Sequence, residues 1–200
     1  MPRASARAAA DTRAAILERA VDDASRLGLE GLTIGNLAGD LGMTKSGLIG
    51  HFGNKERLQL AVLDEAVAIF LREVWKPAMR EHPGRTRLLS LCDSWTSYLE
   101  REVFPGGCLM TTASVEFDNR DGVVRDAVAA TMGQWLAMLE REARVAVEAG
   151  ELSAGTDPAD VAYELNALAV GANCDYQLRR DRQTLERARR AMRRVLAPAH

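Results

Sequence analysis

The run from Thr44 to Gly47, Thr-Lys-Ser-Gly, has side chains that suit contact with duplex DNA at the start of a short helix. Hydroxyl and ammonium groups hydrogen-bond to base edges and phosphates, and small side chains let a helix approach the major groove closely. Free backbone amides at a helix N-terminus also attract phosphate. We therefore expect base and phosphate contacts here, and further phosphate contacts at the helix starts Thr33 and Lys55.

Two short helices are predicted to position these residues. The first has an apolar side made by Leu37, Ala38 and Leu41, and the second ends near Phe52. Gly42 permits a tight turn between them, and a threonine in front of each helix is a candidate N-cap. None of the first fifty residues is aromatic, which disfavours stacking on single-stranded bases but is compatible with reading a duplex through its groove.

The segment 32–58 resembles the signature of the TetR family of transcriptional regulators. The family pattern is a Thr-capped helix, an Ala followed by Leu-Gly, a Ser or Thr that starts the recognition helix, a His-Phe region and a Lys-Glu-x-Leu helix start. This chain has these features in the same order, at Thr33, Ala38, Leu41-Gly42, Thr44, His51-Phe52 and Lys55–Leu58. The resemblance implies a DNA-facing set of eight residues: Thr33, Thr44, Lys45, Ser46, Gly47, Ile49, His51 and Lys55.

Two positions depart from the family pattern. Ile49 stands where the family usually has tyrosine, so a phosphate contact from the tyrosine hydroxyl is missing. Gly50 stands where a bulkier residue is usual, and glycine inside a helix costs about 1 kcal/mol relative to alanine, although close approach of DNA would explain it. Two alternatives to DNA reading stay open: a helical hairpin with no such role, and a TetR-like module that carries a ligand or binds a protein partner.

Residue patterns for catalysis or metal binding are not found in the sequence. The three histidines are widely separated, and Cys92, Cys108 and Cys174 form neither a disulfide framework nor a zinc motif. We therefore expect no enzymatic activity, no cofactor and no metal. Cys108 follows Pro-Gly-Gly and could be a reactive thiol at a helix start, but a small packed residue is favoured.

Hydropathy and charge limit the possible location of the protein and the ways in which it could bind nucleic acid. No segment has the apolar length of a signal peptide or a membrane span, so we expect a cytoplasmic protein that does not enter the membrane. The formal net charge of -2 argues against a protein that coats nucleic acid through bulk positive charge. Phosphate binding must therefore come from local placement of basic groups.

Helical periodicity runs through the chain and strand alternation is nearly absent, so an all-α fold is predicted. The predicted domains are an N-terminal three-helix DNA-binding domain with a helix-turn-helix (1–54) and a larger C-terminal helical domain for effector binding and dimerisation (55–200). Gly28 is expected to end the first helix in a left-handed conformation, and Pro77 to interrupt the fourth. About nine helices are expected, near residues 12–27, 34–41, 45–52, 55–75, 86–102, 108–117, 121–149, 158–178 and 181–196.

The C-terminal half carries aromatic and other apolar residues that could line an effector pocket, together with polar groups that could orient a ligand. Each of them alone is more typical of ordinary core, so only the group as a whole supports the hypothesis. The candidate pocket residues are Trp95, Tyr98, Phe104, Cys108, Met110, Glu116, Phe117, Trp135, Met138 and Asn173.

The last two predicted helices are candidates for a dimer interface. The TetR resemblance implies that they pair with those of a second copy in a four-helix bundle, which would present two reading heads to a pseudo-palindromic operator. The arginine-rich last helix could instead be a second nucleic-acid surface, although a solvated flank of the bundle is favoured. The predicted interface residues are Val161, Leu165, Leu168, Ala172, Leu185, Ala188, Met192 and Val195.

The resemblance also implies a mechanism. A small, largely apolar effector would shift helices around the pocket, the long helix 55–75 would transmit the displacement, and affinity for the operator would fall. Repression is the commoner behaviour in the family, so a repressor is expected.

Overall fold

The computed structural model describes residues 2–198, with side chains from residue 7 to residue 198. Over these residues the chain is all-helical, as predicted, with nine helices and no strand. A π-helical turn (Leu71–Trp75) and a short α-helical turn (Lys76–Ala78) follow the fourth helix directly. The helices are α1 (Pro2–Gly31), α2 (Ile34–Asp40), α3 (Lys45–Phe52), α4 (Lys55–Phe70), α5 (Arg85–Glu100), α6 (Leu109–Glu116), α7 (Val123–Glu148), α8 (Pro158–Arg179) and α9 (Arg182–Val195).

The helices form two compact units. Unit 1 contains the residues up to Ala68 together with Phe104–Val128, and unit 2 contains Ile69–Val103 together with the residues from Ala129 onward. The predicted domain boundary at residue 54 coincides with the start of α4, whereas unit 1 continues beyond it. Helix α6 joins unit 1 because it packs against α1.

Helix α1 is longer at its N-terminus than predicted. It begins at Pro2 instead of near residue 12, because the alanine-rich stretch before residue 12 has high helix propensity even without an apolar stripe. Near its other end, Gly28 has φ 78° and ψ 166°, which confirms the predicted interruption. This conformation is accessible almost only to glycine.

The two short helices of the helix-turn-helix begin and turn where the sequence predicts. Thr33 Oγ1 accepts a hydrogen bond from the Asn36 amide at 3.2 Å, and Thr44 Oγ1 accepts one from the Gly47 amide at 3.1 Å. Each threonine is thus an N-cap that satisfies an amide with no partner inside its helix. Gly42 has φ 62° in the turn between α2 and α3.

The regular ladder of the fourth helix is interrupted before Pro77, as predicted, but the helical segment does not end there. The chain passes through Pro77 in the turn Lys76–Ala78, and the Met79 amide still donates to the Trp75 carbonyl at 3.1 Å. Proline has no amide hydrogen, so it breaks a regular α-helical ladder. Here the π-helical turn widens the ladder just before the proline, with the Lys76 amide bonded to the Leu71 carbonyl.

Unit 2 has its helix starts fixed by carboxylates. Asp157 Oδ1 accepts from the Ala159 amide at 2.8 Å, so the predicted cap of α8 is confirmed. At the start of α5, Glu142 of α7 accepts from the Gly84 amide at 3.0 Å and from Arg87 at 3.1 Å. Glu142 is only 2% exposed, so this pairing offsets the cost of burying a carboxylate.

Three of the six arginines of α9, Arg187, Arg189 and Arg193, pair with acids inside unit 2. Arg189 donates to Glu100 at 3.3 Å and to the Thr96 hydroxyl at 3.2 Å, and Arg193 donates to Asp93 at 3.0 Å. These pairs attach α9 to α5, which supports the interpretation of α9 as a solvated flank. Among the described residues, no helix combines the length and the apolar character that a membrane span needs.

Candidate DNA-binding surface and effector unit

Helix α3 has one buried side and one side open to solvent. Leu48 and Phe52 are buried in unit 1, and the guanidinium of Arg13 lies 4.6 Å from the centre of the Phe52 ring. The predicted contacts from Thr44 to Gly47 are all exposed. Their position follows from the cap, because the Thr44 side chain that accepts from the Gly47 amide also lies 3.2 Å from the Ser46 hydroxyl. The first turn of α3 is thus free to contact a ligand.

The other predicted DNA-facing residues are less uniform. Thr33 and Ile49 are exposed, and His51 is half-buried with its ring centre 6.4 Å from that of Phe52. The end of the Lys45 side chain lies over Gly35 of α2, where an added Cβ would come within 3.0 Å of it. Lys55 is half-buried, and its ammonium donates to Glu30 rather than pointing freely into solvent.

The last turn of α1 is held by α4. Lys55 Nζ lies 2.7 Å from the Glu30 carbonyl oxygen and 3.0 Å from Glu30 Oε2, and Gln59 Nε2 donates to the Leu29 carbonyl at 2.9 Å. The Gln59 amide also donates to Glu30 Oε1 at 3.0 Å. The hydrogen bonds that the Glu30 carboxylate accepts, mainly that from Gln59 and next that from Lys55, hold the pKa of this carboxyl below its ordinary value.

The same turn is held from a second direction by α6. Glu116 Oε2 accepts from the Leu29 amide at 2.8 Å, and Glu116 Oε1 accepts from the Glu30 amide at 2.9 Å. Gly28 makes this possible, because a Cβ at that position would lie 2.5 Å from Glu116 Oε1. The sequence placed Glu116 among the candidate pocket residues. In the structure, both of its carboxylate oxygens instead accept hydrogen bonds from backbone amides of α1.

A second close approach joins the Pro-Gly-Gly segment to α1. The Gly106 amide donates to Ser25 Oγ at 3.0 Å, and a Cβ on Gly106 would lie 1.9 Å from the Ser25 carbonyl oxygen. Only glycine fits there. Sequence reasoning treated this segment as the break between two predicted helices, before the helix start at Cys108, since nothing local to it indicates that it contacts a residue 81 positions earlier.

The predicted pocket residues are divided between the two units. Trp95, Tyr98 and Asn173 are buried in unit 2, where Trp135 and Met138 are half-buried. Unit 1 contains the other five, of which three are buried and two are half-buried. The five are Phe104, Cys108, Met110, Glu116 and Phe117.

The interior of unit 2 contains an aromatic cluster beside a small apolar cavity. The Phe70 ring centre lies 5.2 Å from that of Trp135 and 6.0 Å from that of Tyr98, in edge-to-face arrangements. The cavity measures about 10 Å³, room for about one water molecule. Burial raises the pKa of Cys92, which lines it, to about 12. The cavity is lined by Leu91, Cys92, Trp95, Trp135, Leu139, Leu165, Ala169 and Met192.

Helices α8 and α9 bury most of the predicted dimer residues inside unit 2. Leu168 and Val195 are partly exposed and the other six are buried within the single chain, although Leu168, Ala172 and Ala188 also line the open groove between the two helices. The pattern of apolar residues on these helices marked the side that packs inward. The six buried residues are Val161, Leu165, Ala172, Leu185, Ala188 and Met192.

The surface of α8 and α9 that faces solvent has a different composition. An open groove of about 500 Å³ lies between the two helices, lined by small residues of both helices together with charged residues, mostly arginines. Along α8, Tyr163 and Leu178 are 72% and 85% exposed. They belong to one stripe of exposed residues with helical spacing: Tyr163, Ala167, Gly171, Cys174 and Leu178.

Comparison with known proteins gives a family and a fold. Residues 84–192, more than half of the chain, match the family described as "Tetracyclin repressor-like, C-terminal domain". A TetR transcriptional regulator from Chloroflexus aurantiacus J-10-FL is 25% identical, with a TM-score of 0.84 over 93% of this chain and 94% of that chain. No curated protein matches this chain by sequence.

More distant structures share the fold. A TetR-family regulator from Cytophaga hutchinsonii is 21% identical, with a TM-score of 0.83 over 94% of each chain. AibR, solved in complex with isovaleryl coenzyme A and operator DNA, is 22% identical, with a TM-score of 0.78 over 94% of this chain and 99% of that chain. With its helix-turn-helix, all-helical fold and matching C-terminal region, the chain belongs to the TetR family of transcriptional regulators.

Proposed function

We propose that this protein is a dimeric, ligand-responsive transcriptional repressor that binds a pseudo-palindromic operator through α3 and releases it when a small, largely apolar effector binds. The observation that carries the proposal is the first turn of α3. Thr44, Lys45, Ser46 and Gly47 are exposed there, while Leu48 and Phe52 fix the helix from behind. This arrangement suits insertion of a helix N-terminus into the major groove.

Charge around α3 supports duplex DNA as the partner. The sequence from Thr44 to Asn54 has Lys45 but no acidic residue, so this stretch carries a positive charge although the protein has a net charge of -2. Attraction to phosphate is therefore local. CifR, which shares the fold, was solved in complex with 26-bp double-strand operator DNA, and we extend that partner class to this chain.

The exposed stripe on α8 supports a homodimer. Side chains as large as Tyr163 and Leu178 at 72% and 85% exposure leave apolar area in water, which a second copy would cover. Because Ala167 and Gly171 in the same stripe are small, two such helices could approach closely. A two-fold axis at this stripe would give two copies of α3 and hence an operator with two half-sites.

The interior of unit 2 is our candidate for effector binding. It offers apolar and aromatic surface from Trp95, Trp135 and their neighbours, which would favour a largely apolar ligand. A cavity of about 10 Å³ is too small for any such ligand, so binding must displace helices of this unit. AibR, which shares the fold, was solved with isovaleryl coenzyme A, so an acyl group is one apolar chemistry to test.

Coupling to DNA would act through α6. This helix belongs to the same compact unit as the helix-turn-helix, and Glu116 binds it to the turn of α1 that leads into α2. A displacement of α6 would therefore alter the orientation of α2 and α3. Function of this kind requires no catalysis, cofactor or metal, and we assign the protein to the cytoplasm.

The proposal is tested by selecting bound sequences from a random duplex library. We expect enrichment of an inverted repeat whose half-site centres lie about 10 bp, or a multiple of that, apart. A variant with both Thr44→Ala and Lys45→Ala serves as the control and should enrich nothing above the input library. If the unaltered protein also enriches no sequence, the proposal fails, and the protein is instead a module that carries a ligand or binds a protein partner.

A further inference from the structure

Ile49 is an apolar side chain on the open side of α3. It is 41% exposed, and within the described stretch from Leu32 to Leu58 it is the one large apolar residue classed as exposed. Lys45 and Ser46, four and three residues earlier, lie on the same side of the helix and are polar and exposed, so Ile49 is an apolar side chain in a polar surface. A single apolar side chain is far smaller than the apolar patches that bind proteins or membranes.

Gly50, the next residue, is not required by the fold. It has no left-handed φ, and a Cβ built on it meets no described atom within 4 Å. Alanine would therefore fit and would favour the helix, since alanine has a higher helix propensity than glycine. Neither packing nor backbone conformation requires the glycine, and the space that it leaves next to Ile49 is available to a partner outside the chain.

The proposed DNA-reading function of α3, on which this inference rests, makes duplex DNA that partner. The major groove presents hydrogen-bonding groups on every base pair and one apolar group, the 5-methyl of thymine. An exposed isoleucine can bind this methyl group but cannot hydrogen-bond to a base or a phosphate. Glycine next to it would let the helix backbone approach the base edges.

We propose that Ile49 determines sequence specificity by contacting the 5-methyl group of a thymine in each half-site, with Gly50 leaving room for that approach. Where a tyrosine at position 49 would bind the phosphate backbone, this chain thus reads a base. A phosphate contact carries no sequence information, whereas a contact with a thymine methyl group does. Residue 49 therefore contributes to sequence preference in this chain.

Replacement of thymine by uracil in the selected duplex tests this directly, because it removes only the methyl group. We expect one thymine in each half-site at which the change weakens binding about fourfold, and about fifteenfold when both half-sites are changed, from the burial of one methyl-sized group each. With Ile49→Ala the same replacement should change affinity less than about twofold, because alanine is too short to cover the methyl group. Val123→Ala, also an exposed β-branched residue, should keep the full uracil effect.

Gly50→Ala gives an independent readout. The variant should unfold at higher urea concentration than the unaltered protein and yet bind the selected duplex more weakly. The inference is overturned if no uracil replacement alters binding, or if Gly50→Ala binds DNA as well as the unaltered protein does. Those results would leave DNA reading by α3 intact, whereas failure to select any duplex would overturn both proposals.

Discussion

Glu116 Oε2 lies 2.8 Å from the amide nitrogen of Leu29, a residue 87 positions earlier in the chain, and its other oxygen accepts from the Glu30 amide at 2.9 Å. One carboxylate thereby binds two consecutive amides at the end of α1, just beyond Gly28, where the chain leaves helical geometry. The contact joins α6 to the turn that precedes the helix-turn-helix. In the proposed regulator, it is the link through which movement of α6 reaches α3.

Glu116→Gln should weaken this link. The amide group of glutamine offers one acceptor and places a donor against a backbone N–H, so one of the two hydrogen bonds cannot form. We expect a decrease of about 1–3 kcal/mol in the free energy of unfolding. Hydrogen exchange at the Leu29 and Glu30 amides should also become faster. Glu148→Gln, an exposed glutamate of α7, is the matched control; equal exchange rates in both variants would contradict the assignment.

The thiol of Cys92 should resist alkylation in the folded protein. Its burial raises the pKa to about 12, so almost no reactive thiolate exists at neutral pH, and the side chain is inaccessible. Mass spectrometry after iodoacetamide treatment should find this thiol unmodified without urea and modified in urea. Rapid modification without urea would mean that the interior of unit 2 opens readily.

Acid should destabilise the contact between α1 and α4 through Glu30. Hydrogen bonds from Gln59 and Lys55 lower the pKa of Glu30, so this carboxylate contributes stability above its unfolded pKa and loses that contribution as pH falls through the folded pKa. The urea midpoint should therefore drop more below pH 4.5, the ordinary glutamate value, in the unaltered protein than in Glu30→Gln. Parallel pH profiles would show that Glu30 is not the group responsible.

The exposed stripe of α8 should control the oligomeric state. Leu178→Glu introduces charge at a side chain that is 85% exposed in the single chain, so folding should be unaffected while dimerisation is abolished. Light scattering coupled to size-exclusion chromatography would report the mass directly. Leu71→Glu, at another exposed leucine of unit 2, should remain dimeric. If the Leu178→Glu protein is still dimeric, the dimer interface does not include this stripe.

Local features of the fold could be predicted from the sequence. Thr33 and Thr44 cap their helices and Gly42 makes the turn, because caps and turns depend on residues within a few positions of one another. That the chain stays helical through Pro77 could not be predicted, because the π-helical turn that accommodates the proline has no simple sequence signal.

Long-range contacts could not be predicted. The bond between Glu116 and Leu29 and the approach of Gly106 to Ser25 depend on the tertiary arrangement of unit 1. For the dimer, apolar spacing identified a stripe on α8 that includes Leu165, but a periodic pattern cannot distinguish burial within one chain from burial against a second. The exposed stripe of α8 could be identified only from the tertiary structure, which shows which side of the helix packs inward.

The central claim, that α3 reads duplex DNA, is tested most directly by fluorescence anisotropy on the selected duplex across a salt series. Lys45→Ala is compared with Lys76→Ala, because both remove one exposed lysine and change the net charge equally. The account predicts that Lys45→Ala weakens binding, and that its plot of log affinity against log salt is shallower by about 1 for each phosphate that the variant no longer binds. Lys76→Ala should match the unaltered protein. Indistinguishable binding by the two variants would contradict the account.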